Sequence, residues 1–357
     1  MNRTRDREEY SIGDGKIMWT NGPDRYIARG EYEKLYHRVC GPALIKGGIK
    51  RWYNNRSFHR EDGPAISKPR GDEVWYEDGE KHRVGGVAEV DGRGIRYWFI
   101  YGSLHREGGP AVVSPCGYEA WYKMGNLHRL DGPATLYHGE EEWYFEGNRH
   151  REDGPAIVKP GKEEWYFEGN RHREDGPAIV NSDKKEWWVN GKKHRIDGPA
   201  VLYTNGYQKW YLNGLKHRIG APAIVSPCGL EYWYMNGLLH RVGAPAVRRP
   251  DGYEAWFIDG HLHRENGPAI TNQDGTEEWY YEGFLHREDG PAIKYINGTE
   301  EWYLEGYLHR LGGPAITNSD GTLGWFIEGR QYLDEEEYWA HVIPLLSHNK
   351  KSANKRS

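Results

Sequence analysis

Long apolar runs are missing from these 357 residues, cysteine is nearly missing, and neither sign of charge dominates. No stretch approaches the ~18 apolar residues of a spanning helix, so no membrane-crossing helix is expected. The N-terminal MNRTRDREEY is charged where a secretory signal needs an apolar stretch, which predicts a soluble, unexported, cytoplasmic protein. Cys40, Cys116 and Cys228 are odd in number, far apart and without a Cys-x-x-Cys, which excludes a disulfide framework and a zinc ribbon. The net charge of -5 gives no electrostatic footprint for nucleic acid, which is disfavoured as a partner; only the closing HNKKSANKRS is locally basic. What the chain does have is 16 Trp, 26 Tyr, 47 Gly and 17 His.

Those residues are periodic, which replaces the length-based expectation of two ordinary domains. The dipeptide His-Arg begins at His37, His59, His82, His105, His128, His150, His172, His194, His217, His240, His263, His286 and His309, at spacings of 22 or 23. A Trp stands seven places before each of these His residues from His59 onward, including Trp143, Trp165, Trp187, Trp210, Trp233, Trp256, Trp279 and Trp302. Trp325 opens a further unit in which Tyr332 replaces His. The fullest copies read G-x-E-E-W-Y-x-x-G-x-x-H-R-x-D-G-P-A-I, as in Gly161 to Ile179.

The Gly four places before Trp usually follows Asp or Asn, as in Asn205-Gly206 and Asp251-Gly252, and such pairs favour two-residue hairpin turns. Strands are therefore expected on either side: a short Ala-Ile/Val segment and the Glu-Glu-Trp-Tyr segment, which the second Gly ends. The following Gly-x-x-His-Arg-x-Asp-Gly-Pro is too rich in Gly and Pro for a central strand and reads as a loop or a short edge segment, folded back over the sheet. Two strands per unit at about 4.8 Å each advance an array by about 9.6 Å, so the fold class is all-β: one elongated array of about 13 tandem hairpins, on the order of 120 Å long. Period-two alternation puts Trp and the residue two later on one face and the intervening aromatic on the other, with Trp expected to form the more buried ladder. The divisions read from the sequence are a loose polar segment over 1–17, the array over 18–333, a capping helix over 334–346 and a basic disordered tail over 347–357. The helix has a capping-box start at Asp334-Glu335-Glu336-Glu337 and is expected to be limited by Pro344.

The His ladder does not suit a metal, because copies about 9.6 Å apart cannot share one ion at ~2.0 Å per bond. An Arg stripe through Arg151, Arg173, Arg195 and Arg218 is the candidate polyanion contact, but most copies set acids beside the Arg. The favoured reading is structural: Asp three places after His (Asp62, Asp131, Asp153, Asp175, Asp197, Asp289) satisfies turn amides, while His and Arg brace the loop against its neighbours. The Glu-Glu pairs recur in unit after unit and point to opposite faces of a strand, unlike catalytic carboxylates. No phosphate loop, HExxH or Gly-x-Ser-x-Gly is present. No catalytic, cofactor or metal residue is assigned, and the chain is not expected to be an enzyme.

In Tyr144-Phe145-Glu146-Gly147-Asn148-Arg149-His150, an aromatic is followed at +3 by Gly and at +6 by His. This resembles the MORN repeat, also about 23 residues and built as a β-hairpin, over nearly all of 18–332. The unit departs from the usual pattern after His, where Arg151 stands in place of Gly. In that form it resembles repeats of uncharacterised proteins of large DNA viruses and phages, and Asp334 to Trp339 is similar to their terminal segment. The resemblance implies a virus-encoded hairpin array used as a scaffold for protein contacts, in some members at membranes. Two other readings stand beside it: a peripheral phosphoinositide binder using the Arg ladder, and a glycan- or choline-binding aromatic module.

Overall fold

The computed structural model describes residues 8–12, 16–20, 41–54 and 57–353, with side chains over 41–54 and 57–344. The readings on His37 and Cys40 lie outside these. The fold is nearly all-β, built from successive hairpins and closed by one C-terminal helix. It divides into two compact units, 1–173 with 178–180, and 174–177 with 181–357.

In the first unit a representative repeat contains four short strands rather than the two expected. Ile157–Lys159 and Lys162–Glu164 form a first hairpin around Pro160-Gly161. Tyr166–Phe167 and Asn170–Arg171 form a second around Glu168-Gly169. The expected Glu-Glu-Trp-Tyr strand is thus divided at Trp165, and the segment after the second Gly holds a strand. The reason lies in how Trp is bonded: its N–H donates to the carbonyl of the next repeat's Ala178 at 2.7 Å, while its carbonyl accepts from the N–H of its own His172 at 3.2 Å. One residue links two different sheets, so neither ladder runs through it.

First hairpins join edge to edge. Glu142 pairs with Ile157 and Tyr97 with Val112 in the first unit; Lys209 pairs with Ile224 and Glu278 with Ile293 in the second. Spacings of 22 and 23 follow from loop length. His138-Gly139 and Pro160-Gly161 are two-residue loops in 22-residue repeats. Asp251-Gly252 and Asn205-Gly206, expected to be two-residue turns, close longer loops. In these the N–H groups of Arg249 and Tyr203 donate across to Tyr253 and Tyr207, and the Gly takes a φ of 90° or 85°.

Two end readings are corrected. Residues 8–12 and 16–20 are not loose: Glu8–Ile12 pairs with Lys16–Thr20, which pairs onward with Leu44 and Ile45. An added strand lets the sheet's first edge bond to backbone rather than end there. The C-terminal helix runs over Glu335–Ala353, through Pro344 and into the stretch read as a tail. Pro removes one N–H from the ladder without fixing where a helix ends, and neither Gly nor Pro follows it. The helix start is a reciprocal capping box, with Glu337 N–H donating to Asp334 Oδ1 at 2.9 Å and Leu333 N–H to Glu337 Oε2 at 2.7 Å.

The most buried ladder is alanine, not tryptophan. The Ala after each repeat's Pro is wholly buried at Ala65, Ala134, Ala156, Ala223, Ala292 and Ala315 alike, and buried Ile157, Val201, Ile224, Val247 and Ile293 follow such an Ala. Trp residues between Trp121 and Trp302 are only half-buried.

Candidate functional site

The residues that recur in register are engaged inside the array. Twelve Arg guanidinium groups lie over the indole of their own repeat, 3.6 to 4.3 Å from the ring centroid. Each is worth ~1 kcal/mol at partly exposed sites. Arg151 shows the full set: its Cζ is 3.9 Å from the Trp143 centroid, Nη1 donates to Pro155 O at 3.3 Å, and Nε donates to Asp153 at 3.0 Å. A Cβ on Gly154 would stand 2.8 Å from that Cζ, so the guanidinium is layered between indole and glycine. The Asp therefore holds Arg rather than the turn amides expected, and the Arg charge keeps Asp62, Asp131, Asp153, Asp197 and Asp289 below the ordinary carboxyl value.

Of the candidate polyanion residues, Arg195 repeats this arrangement over Trp187 at 4.0 Å, and Arg173 stacks over Trp165 at 4.1 Å. Arg218 lies 3.8 Å from the Trp210 centroid and donates to Pro222 O at 3.1 Å; burial lowers its pKa. Each of the four guanidinium groups lies over the indole of its own repeat.

His has an equally specific task. In eleven repeats Nδ1 accepts from a backbone N–H of the next repeat at 3.1 to 3.2 Å, as His150 does from Glu168 and His217 from Asn236. The donor is always the first residue of the second-hairpin turn, held at φ between 43° and 51°. That left-handed conformation costs a non-glycine residue about 1 kcal/mol or more, and residues as unsuited to it as Tyr101 and Met124 adopt it here. An acceptor on the preceding repeat offsets the strain and fastens one repeat to the next. Nothing local in Glu-Gly or Met-Gly announces such a turn.

A third set is polar and buried. Glu164, almost wholly buried, accepts from Tyr166 Oη at 2.8 Å and pairs with Lys162 at 2.5 Å and Arg171 at 3.1 Å. Burial opposes its ionisation, but these partners outweigh it and hold the carboxyl below its ordinary value. Glu142 is similar, with Tyr144, Lys159 and Arg149. The adjacent Glu141 instead accepts from Trp143 Nε1 at 3.3 Å, so the two carboxylates of a pair serve opposite faces.

What varies from repeat to repeat faces outward. Each second hairpin sets the residue two after Trp opposite the residue after Gly. In the first unit the corresponding pairs are Asn54 with Ser57, Glu77 with Glu80, Ile100 with Ser103, Lys123 with Asn126, Phe145 with Asn148 and Phe167 with Asn170. In the second, between Val189 with Lys192 and Ile327 with Arg330, they become Leu212 with Leu215, Met235 with Leu238, Ile258 with His261, Tyr281 with Phe284 and Leu304 with Tyr307.

Elsewhere, Cys116 and Cys228 are exposed in matching Ser-Pro-Cys-Gly loops, where hydrogen bonding to Ser114 and Ser226 lowers each thiol's pKa. Among the described residues there is no cluster of metal-ligating side chains, and no helix is long and apolar enough to cross a membrane. In comparisons with known proteins the chain matches no family model and no curated sequence.

Proposed function

We propose that the chain is a non-enzymatic, MORN-like repeat scaffold that binds protein partners through its outward-facing, repeat-specific side chains. The observation that carries this is a division of labour: Trp, Arg, His, Ala and Gly are constant and bonded within the array, whereas the second-hairpin pairs differ between repeats and are half-buried or exposed. Arrays of this kind hold a frame with their consensus residues and recognise with the rest. Resemblance of the unit to repeats of large DNA virus and phage proteins supports a virus-encoded protein acting in the host cytoplasm.

The competing phosphoinositide reading needs Arg side chains free for phosphate, and they lie on indoles instead. Flotation with phosphoinositide vesicles and affinity capture from the native host cell test the two together. Capture of a protein partner that survives Arg151→Gln, Arg173→Gln and Arg195→Gln, with no flotation, is the expected result. Salt-sensitive flotation abolished by those same substitutions would overturn the scaffold reading.

A further inference from the structure

We infer that the second-hairpin face of the second unit binds a basic amphipathic α-helix, an inference that rests on the scaffold reading and names the partner's chemistry. Five consecutive hairpins place their cross-strand pairs on one face, since directly opposed residues of an antiparallel pair project to the same side. Ten positions result, of which nine are apolar, with His261 the exception. Phe284 and Tyr307 are 60% and 61% exposed, and Leu215 and Leu238 are 51% and 50%. In the column after Gly, each side chain lies over the turn Gly of the following hairpin. Leu215 lies 3.4 Å from where a Cβ on Gly237 would stand, Leu238 likewise over Gly260, Phe284 at 3.3 Å over Gly306 and Tyr307 at 3.2 Å over Gly329. An apolar stripe exposed at six of these nine apolar positions, half-buried at Leu212, Ile258 and Leu304 and broken by His261, marks an interaction surface.

Charge and spacing select the occupant. The turn residues bordering the stripe are Asp259, Glu282, Glu305 and Glu328, all exposed, so the rim along the final repeats is acidic. The same face of a second copy carries Asn213, Asn236 and acids at its turns and no Lys or Arg in these cross-strand pairs, so it offers the rim no counter-charge, whereas a basic segment complements it. Addition of an extended strand is disfavoured because the turn N–H groups already bond the preceding hairpin, Gly260 to Leu239 O and Gly283 to Leu262 O, each at 2.9 Å. A helix needs no main-chain partner. Its heptad rise of about 10.5 Å nearly matches the advance of about 9.6 Å per repeat, so one apolar residue per heptad meets one hairpin over four or five repeats.

The test uses the full chain and three synthetic 28-residue helical peptides: leucines at heptad spacing with lysines flanking, the same composition scrambled, and the heptad peptide with lysine replaced by glutamate. Fluorescence anisotropy should show the basic heptad peptide binding at least tenfold tighter than either control. Leu238→Ser with Phe284→Ser and Tyr307→Ser should remove at least tenfold of that affinity. Glu282→Gln with Glu305→Gln and Glu328→Gln, which leaves the apolar face intact, should erase the preference for lysine over glutamate. Equal binding of all three peptides, or binding indifferent to both variants, overturns the inference. If that occurs while host proteins are still captured, the scaffold reading survives without it.

Discussion

The last repeat and the repeats before it solve the same problem with different residues. In an interior repeat of the second unit, Trp302 N–H bonds Ala315 of the following repeat, and Arg310 covers the indole at 3.9 Å. Trp325 has no following Ala. It pairs with Tyr332 instead, so Leu323–Ile327 runs as one unbroken strand, and the ring that packs on its indole is Tyr338, at 4.8 Å. The Glu-Tyr pair that flanks Trp143, Trp165, Trp279 and Trp302 is absent here, as it is at Trp256, and Gly324 and Phe326 take its place, with Gln331 where Arg171 stands in the earlier copy. An interior repeat is completed by its neighbour; the last is completed by a helix, and its polar network is removed as a whole rather than left half-satisfied.

The largest effect should come from taking away that substitute neighbour. Tyr338 is wholly buried, donates to Arg310 O at 2.5 Å and accepts from Gly312 N–H at 2.9 Å. Tyr338→Ala should cost ~3–5 kcal/mol, but locally, because each repeat touches only its neighbours. Hydrogen exchange should show amides of 312–332 losing protection while those before Trp279 keep theirs. Uniform loss along the second unit would mean that the cap is not what distinguishes the last repeat.

The buried carboxylate sharpens the comparison at intermediate size. Glu164→Gln should cost ~1–3 kcal/mol at neutral pH, because Arg171 and Lys162 lose their partner. Adding Arg171→Gln and Tyr166→Phe, the pattern of the last repeat, should recover part of that loss. The pH sign is fixed by the lowered carboxyl: its contribution is complete above the ordinary value of 4.5 and is lost as pH falls through the depressed one. Denaturation at successive pH values should therefore show wild type losing stability in acid more steeply than Glu164→Gln. Parallel curves would remove Glu164 from the account.

The period, the first hairpins and the capping box were legible because Gly-containing turns and Asp-x-x-Glu act within a few residues. The second hairpin was missed although Asn213-Gly214, Asn236-Gly237 and Asp259-Gly260 carry the usual turn pair; Glu168-Gly169 does not, and relies on His150 of the preceding repeat. Tryptophan's size suggested the deepest ladder, yet a large ring can be covered by arginine at the surface, whereas Ala156, whose carbonyl accepts from Trp143 N–H between strands, is wholly covered. The outward stripe was visible as letters, Leu215 to Tyr307, but which face they share depends on cross-strand pairing.

The smallest predicted effect concerns two versions of the arginine cover among interior repeats. In one, Asp197 binds Arg195 and Gly198 underlies it, where a Cβ would stand 2.8 Å from the guanidinium carbon. In the other, Gly-Ala replaces Asp-Gly at Gly220-Ala221 and Gly243-Ala244; the first Gly takes φ of 73° and 76°, and Arg218 and Arg241 sit at 3.8 and 3.6 Å from their indoles. Gly198→Ala alone should cost ~1 kcal/mol by crowding an arginine that Asp197 still holds. Adding Asp197→Gly frees the guanidinium and allows the positive φ, so the double variant should return to within ~0.5 kcal/mol of wild type. Chemical denaturation of both variants measures the coupling. Strict additivity would show that the Asp and the Gly act independently, and that the two versions are unrelated solutions rather than one cover with a movable support.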